Sequence, residues 1–212
     1  MPAEPNVATS ALLVAAASTA VLFVAVILIE GARRPGYDPT YHTGSELELG
    51  ERGWVQRANF FLMGGGAFAF AAAVHRTLDT AGGAVLLTIF GFGMVVAGVF
   101  APDPIRGFPP GARSDPSARL SWQATIHAVA GGPVAFFALF GACLTVAARL
   151  DGSWQTYTAL TAFLGLGLTI WTALAFRKDA RNLGLVQRGL IVVYWSWIVP
   201  VSAHLVTSAA LP

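Results

Sequence analysis

The fold of this chain is first indicated by residues 8–29, which read ATSALLVAAASTAVLFVAVILI and carry no charge. A helix needs about 20 apolar residues to cross the hydrocarbon core of a bilayer, which is about 30 Å thick. Five further segments have about this length. The sequence therefore predicts an all-α polytopic membrane protein, a bundle of six transmembrane helices in a single integral membrane domain over residues 1–212. The expected spans are approximately Ala8–Ile29, Trp54–Val74, Ala81–Ala101, Leu120–Ala148, Trp154–Phe176 and Gly189–Leu211.

The composition agrees with this prediction. Hydrophobic residues make up 55% of the chain and charged residues 11%, about half the charged fraction of a soluble domain. The formal net charge of +2 gives no reason to expect a nucleic-acid partner. Cys143 is the single cysteine, so an intrachain disulfide and a CxxC metal or redox motif are excluded.

The first apolar segment is expected to be a retained helix. A secretory signal begins with a basic region and ends in a small-residue cleavage site. Residues 1–7 contain Glu4 and no base, and the apolar run ends at Ile29-Glu30. We therefore expect this segment to remain in the bilayer as the first transmembrane helix.

The basic residues predict the orientation. Lysine and arginine concentrate in the cytoplasmic loops of membrane proteins. Eleven of the thirteen bases lie in or beside the first, third and fifth connections, and only Arg76 and Arg149 lie on the other side. We therefore expect these connections in the cytoplasm and both termini outside, in a bacterial cytoplasmic membrane. A functional basic cluster on the outer side would give the same pattern. The eleven are Arg33, Arg34, Arg52, Arg57, Arg106, Arg113, Arg119, Arg177, Lys178, Arg181 and Arg188.

Two of the connections on the basic side have structure of their own. The first, residues 31–53, is long for a helix connector and includes an acidic, amphipathic stretch at 45–50 that predicts a short surface segment. The third, residues 102–111, holds four prolines and cannot be helical throughout. The two form either a lid or rim over the helix ends or ordinary solvated loops. Within the spans, Pro133 and Pro200 predict kinks.

The same loops carry a resemblance to a known family. The relevant stretches are Ser45-Glu46-Leu47, residues 54–59 (WVQRAN), residues 91–104 (GFGMVVAGVFAPDP), residues 107–111 (GFPPG) and His127 in the fourth span. On these the chain resembles the bacterial six-helix membrane family catalogued as domain of unknown function nine hundred and ninety-eight. The resemblance covers about the first two thirds of the chain and implies a six-helix bundle. It implies no particular chemistry.

Polar residues near the basic side define the candidate site. Ionisable groups inside a membrane are costly and are therefore functional candidates. We expect Asp103 and His127 to be the catalytic pair, because a histidine titrates near neutral pH and a carboxylate can orient its ring or share its proton. The expected ligand-binding residues are Glu46, Asn59, Arg106, Arg119 and Gln123. The alternative is structural: the amides and the imidazole join helices, and Asp103 pairs with Arg106 or caps a helix.

Two classes of function fit this sequence. The first is binding of a hydrophobic small molecule, lipid or isoprenoid, or acid/base catalysis on it after lateral entry from the bilayer. The second is a non-catalytic accessory subunit or a small-molecule transporter, although no internal repeat of the kind found in many transporters is evident. Too few ligands converge for a zinc site or a haem, so no metal and no cofactor is expected. The sequence leaves open whether the protein is an enzyme and which proteins it contacts.

Overall fold

The computed structural model describes residues 6–207, which are mainly helical and contain no β-strand. Six helices or helix pairs are long and apolar enough to cross a membrane, so the predicted all-α architecture with six spans is confirmed. The helices are α1 (Val7–Arg33), α2 (Gly53–Leu78), α3 (Ala81–Val99), α4 (Trp122–Val129), α5 (Ala135–Ala147), α6 (Gly152–Arg177) and α7 (Leu183–Thr207). A short 3₁₀ helix occupies Gly44–Glu48, and a π turn at Ala130–Val134 joins α4 to α5 in the fourth span.

The spans form a closed ring. Each packs against the next in the sequence, and α7 closes the ring against α1. The ring encloses a core of large side chains that are almost fully buried. Because the spans alternate in direction, the first, third and fifth connections lie at the same end of the bundle. The largest of these core residues include Phe70, Phe90, Leu139, Tyr194 and Trp197.

The helix ends differ most from the predicted spans at the sixth span, which is α7. This helix begins at Leu183, six residues before the predicted Gly189. The last predicted residues, 208–211, lie outside the described part of the chain. At the first span, α1 continues past Ile29 to Arg33. The extra turn contains buried Glu30, whose carboxylate accepts hydrogen bonds from Arg34 Nε at 3.0 Å and from Arg52 Nε at 3.1 Å. Paired charges make a buried carboxylate tolerable at the helix end.

The two prolines within the spans have different effects. Pro133 lies in the π turn, where Gly132 has the non-helical angles φ −97° and ψ −110°, so the predicted break in the fourth span is confirmed. Proline removes an amide and crowds the preceding turn. By contrast, α7 continues through Pro200. The Ser196 carbonyl, four residues before Pro200, instead accepts a hydrogen bond from the Tyr157 hydroxyl of α6 at 2.6 Å.

Several glycines bring spans together, because small residues let helices approach closely. A methyl group on Gly66 of α2 would collide with the Thr19 side chain of α1, and one on Gly165 of α6 would collide with the Tyr194 ring of α7. Neighbouring Gly65 faces open space. The close approaches are therefore specific to individual positions within the glycine-rich stretches.

Candidate functional site

The first, third and fifth connections pack together as one layer at the end of the bundle. We call this layer, residues 34–52, 100–121 and 178–182, the loop face. His42 Nε2 lies 3.1 Å from the Arg106 carbonyl oxygen, and the Tyr37 and Phe108 rings lie 5.2 Å apart. The Tyr41 hydroxyl donates to the Asp179 carboxylate at 2.8 Å and 2.9 Å. These contacts favour a rim over the helix ends, one of the two interpretations that the sequence leaves open.

The acidic 3₁₀ helix of the first connection is buried, so the prediction of a surface segment here is wrong. Glu46 and Glu48 are only 1% and 3% exposed. The physical reason is that residues outside this turn form hydrogen bonds with its backbone groups. Arg34 donates to the carbonyls of Leu47 and Leu49 at 3.1 and 3.0 Å, and the Gly44 amide donates to Gln187 Oε1 of α7 at 2.7 Å.

Beneath the loop face lies a cavity of about 370 Å³. α5 packs on α6, whereas α4, on the other side of the π turn, does not pack closely on α6, and the cavity lies between these two helices. Its polar lining comes from the 3₁₀ helix, the third connection and α4, with further polar side chains from α6 and α7. Its apolar lining comes from the π turn, α5, α6 and α7. The lining includes Glu46, Asp103, Arg106, His127, Pro133, Phe136, Phe137, Thr169, Ile170, Thr172, Leu174, Phe176, Leu183 and Leu190.

Arg106 is held at the polar end of this cavity by three neighbours. Its Nε donates to Asp179 Oδ1 at 3.1 Å, and its Nη1 lies 3.9 Å from Glu46 Oε1. Its guanidinium also lies 4.5 Å from the centre of the Phe176 ring, a cation–π contact. The side chain is almost fully buried. The arginine therefore joins the third connection to the fifth while facing the cavity.

His127 lines the same cavity from α4. Its Nδ1 lies 2.6 Å from the carbonyl oxygen of Phe100 and 3.1 Å from that of Ala97. Because a carbonyl only accepts hydrogen bonds, Nδ1 carries the proton. In the neutral ring Nε2 is therefore the acceptor. Because α3 ends at Val99, these carbonyls have no amide partner in the helix and can accept from His127. Their position fixes the tautomer of the ring.

Glu48 lies near the same ring nitrogen of His127. Its Oε1 is 3.7 Å from His127 Nδ1 and its Oε2 is 3.8 Å from Arg57 Nε. Neither oxygen has a hydrogen-bond partner. Burial raises the pKa of Glu48 to about 9, against a smaller opposing effect of Arg57. Glu48 is thus a neutral carboxylic acid at physiological pH.

Asp103 lines the cavity, but both of its oxygens are used. They accept hydrogen bonds from the Ser121 amide at 2.6 Å and the Ser121 hydroxyl at 2.9 Å. Ser121 is the N-cap of α4, and its hydroxyl accepts from the Ala124 amide. Asp103 therefore connects the end of α3 to the start of α4, the capping role that the sequence leaves open as an alternative.

The remaining predicted residues lie outside the cavity. Asn59 is buried and donates to the Phe23 carbonyl of α1 at 3.1 Å. Arg119 and Gln123 are exposed. Of the seven candidates, Glu46, Asp103, Arg106 and His127 are therefore brought to one cavity.

Sequence reasoning missed several residues of this site. Asp179 neutralises Arg106, and Thr172 and Gln187 line the cavity from α6 and α7. Asp179 is the one acid of the otherwise basic fifth connection, a signal for pairing. The part of the chain that the structure describes contains no cluster of three histidine, cysteine, aspartate or glutamate residues able to hold a metal ion.

The closed ring of six apolar helices and the cavity beneath its loop face define an α-helical integral membrane protein with several spans. The profile of the family described as "Protein of unknown function (DUF998)" matches residues 10–204. The chain belongs to this family, and the match extends the resemblance into the last two spans. No curated protein and no solved structure matches the chain.

Proposed function

We propose that this protein binds a hydrophobic small molecule, lipid or isoprenoid, in the cavity beneath the loop face. The observation that carries the proposal is the cavity itself, about 370 Å³ between α4, the π turn, α6 and α7. Small-molecule sites are mostly apolar concavities of about 300–1,000 Å³ with a few convergent polar groups. Here the polar groups are Glu46, Arg106 and His127, and they lie at the loop-face end.

Lateral access supports a ligand that enters from the bilayer. Phe137 of α5 and Ile170 and Leu174 of α6 line the cavity. They are also 49%, 47% and 47% exposed on the surface of the bundle. Exposed apolar residues of a transmembrane helix face lipid. The side wall of the cavity is therefore continuous with the lipid-facing surface.

Acid/base chemistry on such a ligand would use His127 as the base, because its Nε2 is the acceptor of the neutral ring. Asp103, the other predicted catalytic residue, acts in this proposal by holding the start of α4 through Ser121. Glu46 and Arg106 contact the polar end of the ligand. Asn59, Arg119 and Gln123 remain predictions from the sequence and lie outside the cavity lining.

The test compares co-purifying small molecules by mass spectrometry for the wild-type protein and two variants. Ala173→Phe fills the cavity, because Ala173 is one of its lining residues. Ala15→Phe makes the same change at an exposed position of α1. We expect a defined hydrophobic molecule that wild type and Ala15→Phe retain and Ala173→Phe loses. The same bulk lipids on all three folded proteins would contradict the proposal and favour an accessory subunit. A chemically altered molecule in a His127→Asn variant would indicate an enzyme.

The orientation belongs to the same proposal. We place the loop face in the cytoplasm of a bacterial cell and both termini outside, because eleven of the thirteen bases lie on this side. In a Cys143→Ala background, Ser117→Cys reports the loop face and Ser153→Cys the opposite end, since both serines are exposed. A membrane-impermeant thiol reagent added to intact cells should label the cysteine at 153 and spare the one at 117. Labelling at 117 alone would reverse the orientation.

A further inference from the structure

The polar end of the cavity has an excess of hydrogen-bond acceptors without partners. Glu46 Oε2 accepts from the Thr43 amide at 2.7 Å, one bond of a capping box, and from the Thr43 hydroxyl at 3.0 Å. Glu46 Oε1 has no hydrogen-bond partner, although the residue is 99% buried and lines the cavity. Its nearest cation, Arg106 Nη1, is 3.9 Å away. A buried polar oxygen without a donor is costly.

A second acceptor belongs to His127, which lines the same cavity. His127 donates its Nδ1 proton to the Phe100 carbonyl, so Nε2 has a free lone pair in the neutral ring. The hydroxyl of Thr172, which also lines the cavity, has no partner. The free atoms of Glu46 and His127 are hydrogen-bond acceptors here, whereas the Thr172 hydroxyl can donate or accept a hydrogen bond.

The charge of the buried cation at this end is already paired. Arg106 Nε donates to Asp179, and the guanidinium lies between that carboxylate and Glu46. One cation therefore faces two carboxylates at the buried end. Arg177, the other arginine of the lining, is exposed, so solvent screens its charge. An anionic head group would find no unpaired buried cation.

From these acceptors we infer that the ligand carries a hydrogen-bond donor, a hydroxyl or a protonated amine, at the end that reaches Glu46 and His127. The apolar tail lies along α5 and α6 towards the lateral opening. This inference rests on the proposed function and specifies its ligand class: a long-chain or isoprenoid alcohol or amine, in preference to a phosphate ester. The donor head would satisfy an oxygen that the fold leaves without a partner.

The test uses four probes that share one chain and differ in the head group: farnesol, farnesylamine, farnesyl methyl ether and farnesyl monophosphate. Binding to the purified full-length protein in phosphatidylcholine nanodiscs is measured by equilibrium titration. We expect farnesol or farnesylamine to bind at least tenfold more tightly than the ether, which cannot donate, and than the monophosphate. The tighter of the first two distinguishes a hydroxyl from an ammonium head.

Glu46→Gln provides the decisive variant. Its amide oxygen can keep the Thr43 hydrogen bonds, while its NH₂ group replaces the free acceptor with a donor. We expect the preference for the alcohol or amine over the ether to disappear, whereas Glu51→Gln, the same change at an exposed residue, should retain it.

The outcomes separate the two proposals. Equal binding of all probes, blocked by Ala173→Phe, would overturn the donor-head inference and leave the binding function standing. Tighter binding of the monophosphate would also overturn the inference. An unchanged preference in Glu46→Gln would show that Glu46 does not receive the head group. Failure of every probe to bind would overturn both the inference and the proposed function.

Discussion

Glu48 Oε1 lies 3.7 Å from Nδ1 of His127 without forming a hydrogen bond, because that nitrogen donates to the Phe100 carbonyl at 2.6 Å. An acid and an imidazole are therefore close neighbours that do not exchange a proton in this arrangement. The burial that raises the pKa of Glu48 to about 9 keeps the acid neutral. This neutrality has a measurable consequence for stability.

Replacing Glu48 should change the pH dependence of stability. The pKa of Glu48 is about 9 in the folded protein and about 4.3 in an unfolded chain. Between these values the folded state binds the extra proton, so the free energy of unfolding falls as the pH rises. Thermal unfolding in detergent should thus show wild type losing stability from pH 6 to pH 9. Glu48→Gln should lose much less over that range.

The matched control for that experiment is Glu51→Gln, since Glu51 is exposed. It should follow the wild-type curve. Parallel curves for wild type and Glu48→Gln would show that Glu48 is ionised in the folded protein.

Asp103 should contribute to stability through Ser121. Its carboxylate bonds the Ser121 amide and hydroxyl, so Asp103→Ala should lower the free energy of unfolding by about 1–2 kcal/mol. Asp151→Ala is the control, because Asp151 is the N-cap of α6 and forms no side-chain capping bond. Thermal unfolding measures both. Loss of the co-purifying ligand in Asp103→Ala at unchanged stability would instead assign Asp103 to ligand contact.

Tyr157 should stabilise the protein by donating a hydrogen bond that Pro200 cannot supply. Proline has no amide to offer Ser196, and the Tyr157 hydroxyl donates to that carbonyl at 2.6 Å. We expect Tyr157→Phe to cost about 1 kcal/mol of stability. The cost should shrink in a Pro200→Ala background, where an amide becomes available. A double-mutant cycle measures the coupling, and purely additive effects would argue against this explanation.

Adjacent glycines of α2 should respond oppositely to alanine. Gly66→Ala places a methyl group on Thr19 and should destabilise the contact of α1 with α2 by about 1–3 kcal/mol. Gly65→Ala enters open space and should leave stability unchanged or raise it by up to about 1 kcal/mol. Thr19→Ala should relieve the first effect. Equal losses for both alanine variants would refute the proposed close approach.

How much of the site the sequence could predict depends on the range of the contacts. His127 and Asp103 could be predicted from the sequence because each is a polar residue within or beside an apolar span. The pairing of Arg106 with Asp179 joins residues 73 positions apart, and no local pattern encodes such a distance. Gln123 lies four residues before His127, and this spacing predicts that the two side chains share one face of the helix. It is exposed because it lies in the first turn of α4, whereas His127 is buried one turn deeper.

The sequence by itself determined the six spans and the kink at Pro133. These features follow from the thickness of the bilayer and the missing amide of proline, which act through local sequence. Only the tertiary structure decided that Glu46 and Glu48 are buried and that a cavity lies beneath the loop face. The physical reason is that burial of a charged turn depends on hydrogen-bond partners outside the turn: Arg34 at the end of α1 donates to its carbonyls, and Gln187 of α7 accepts from its Gly44 amide. Closure of the helix ring brings these partners together with the turn.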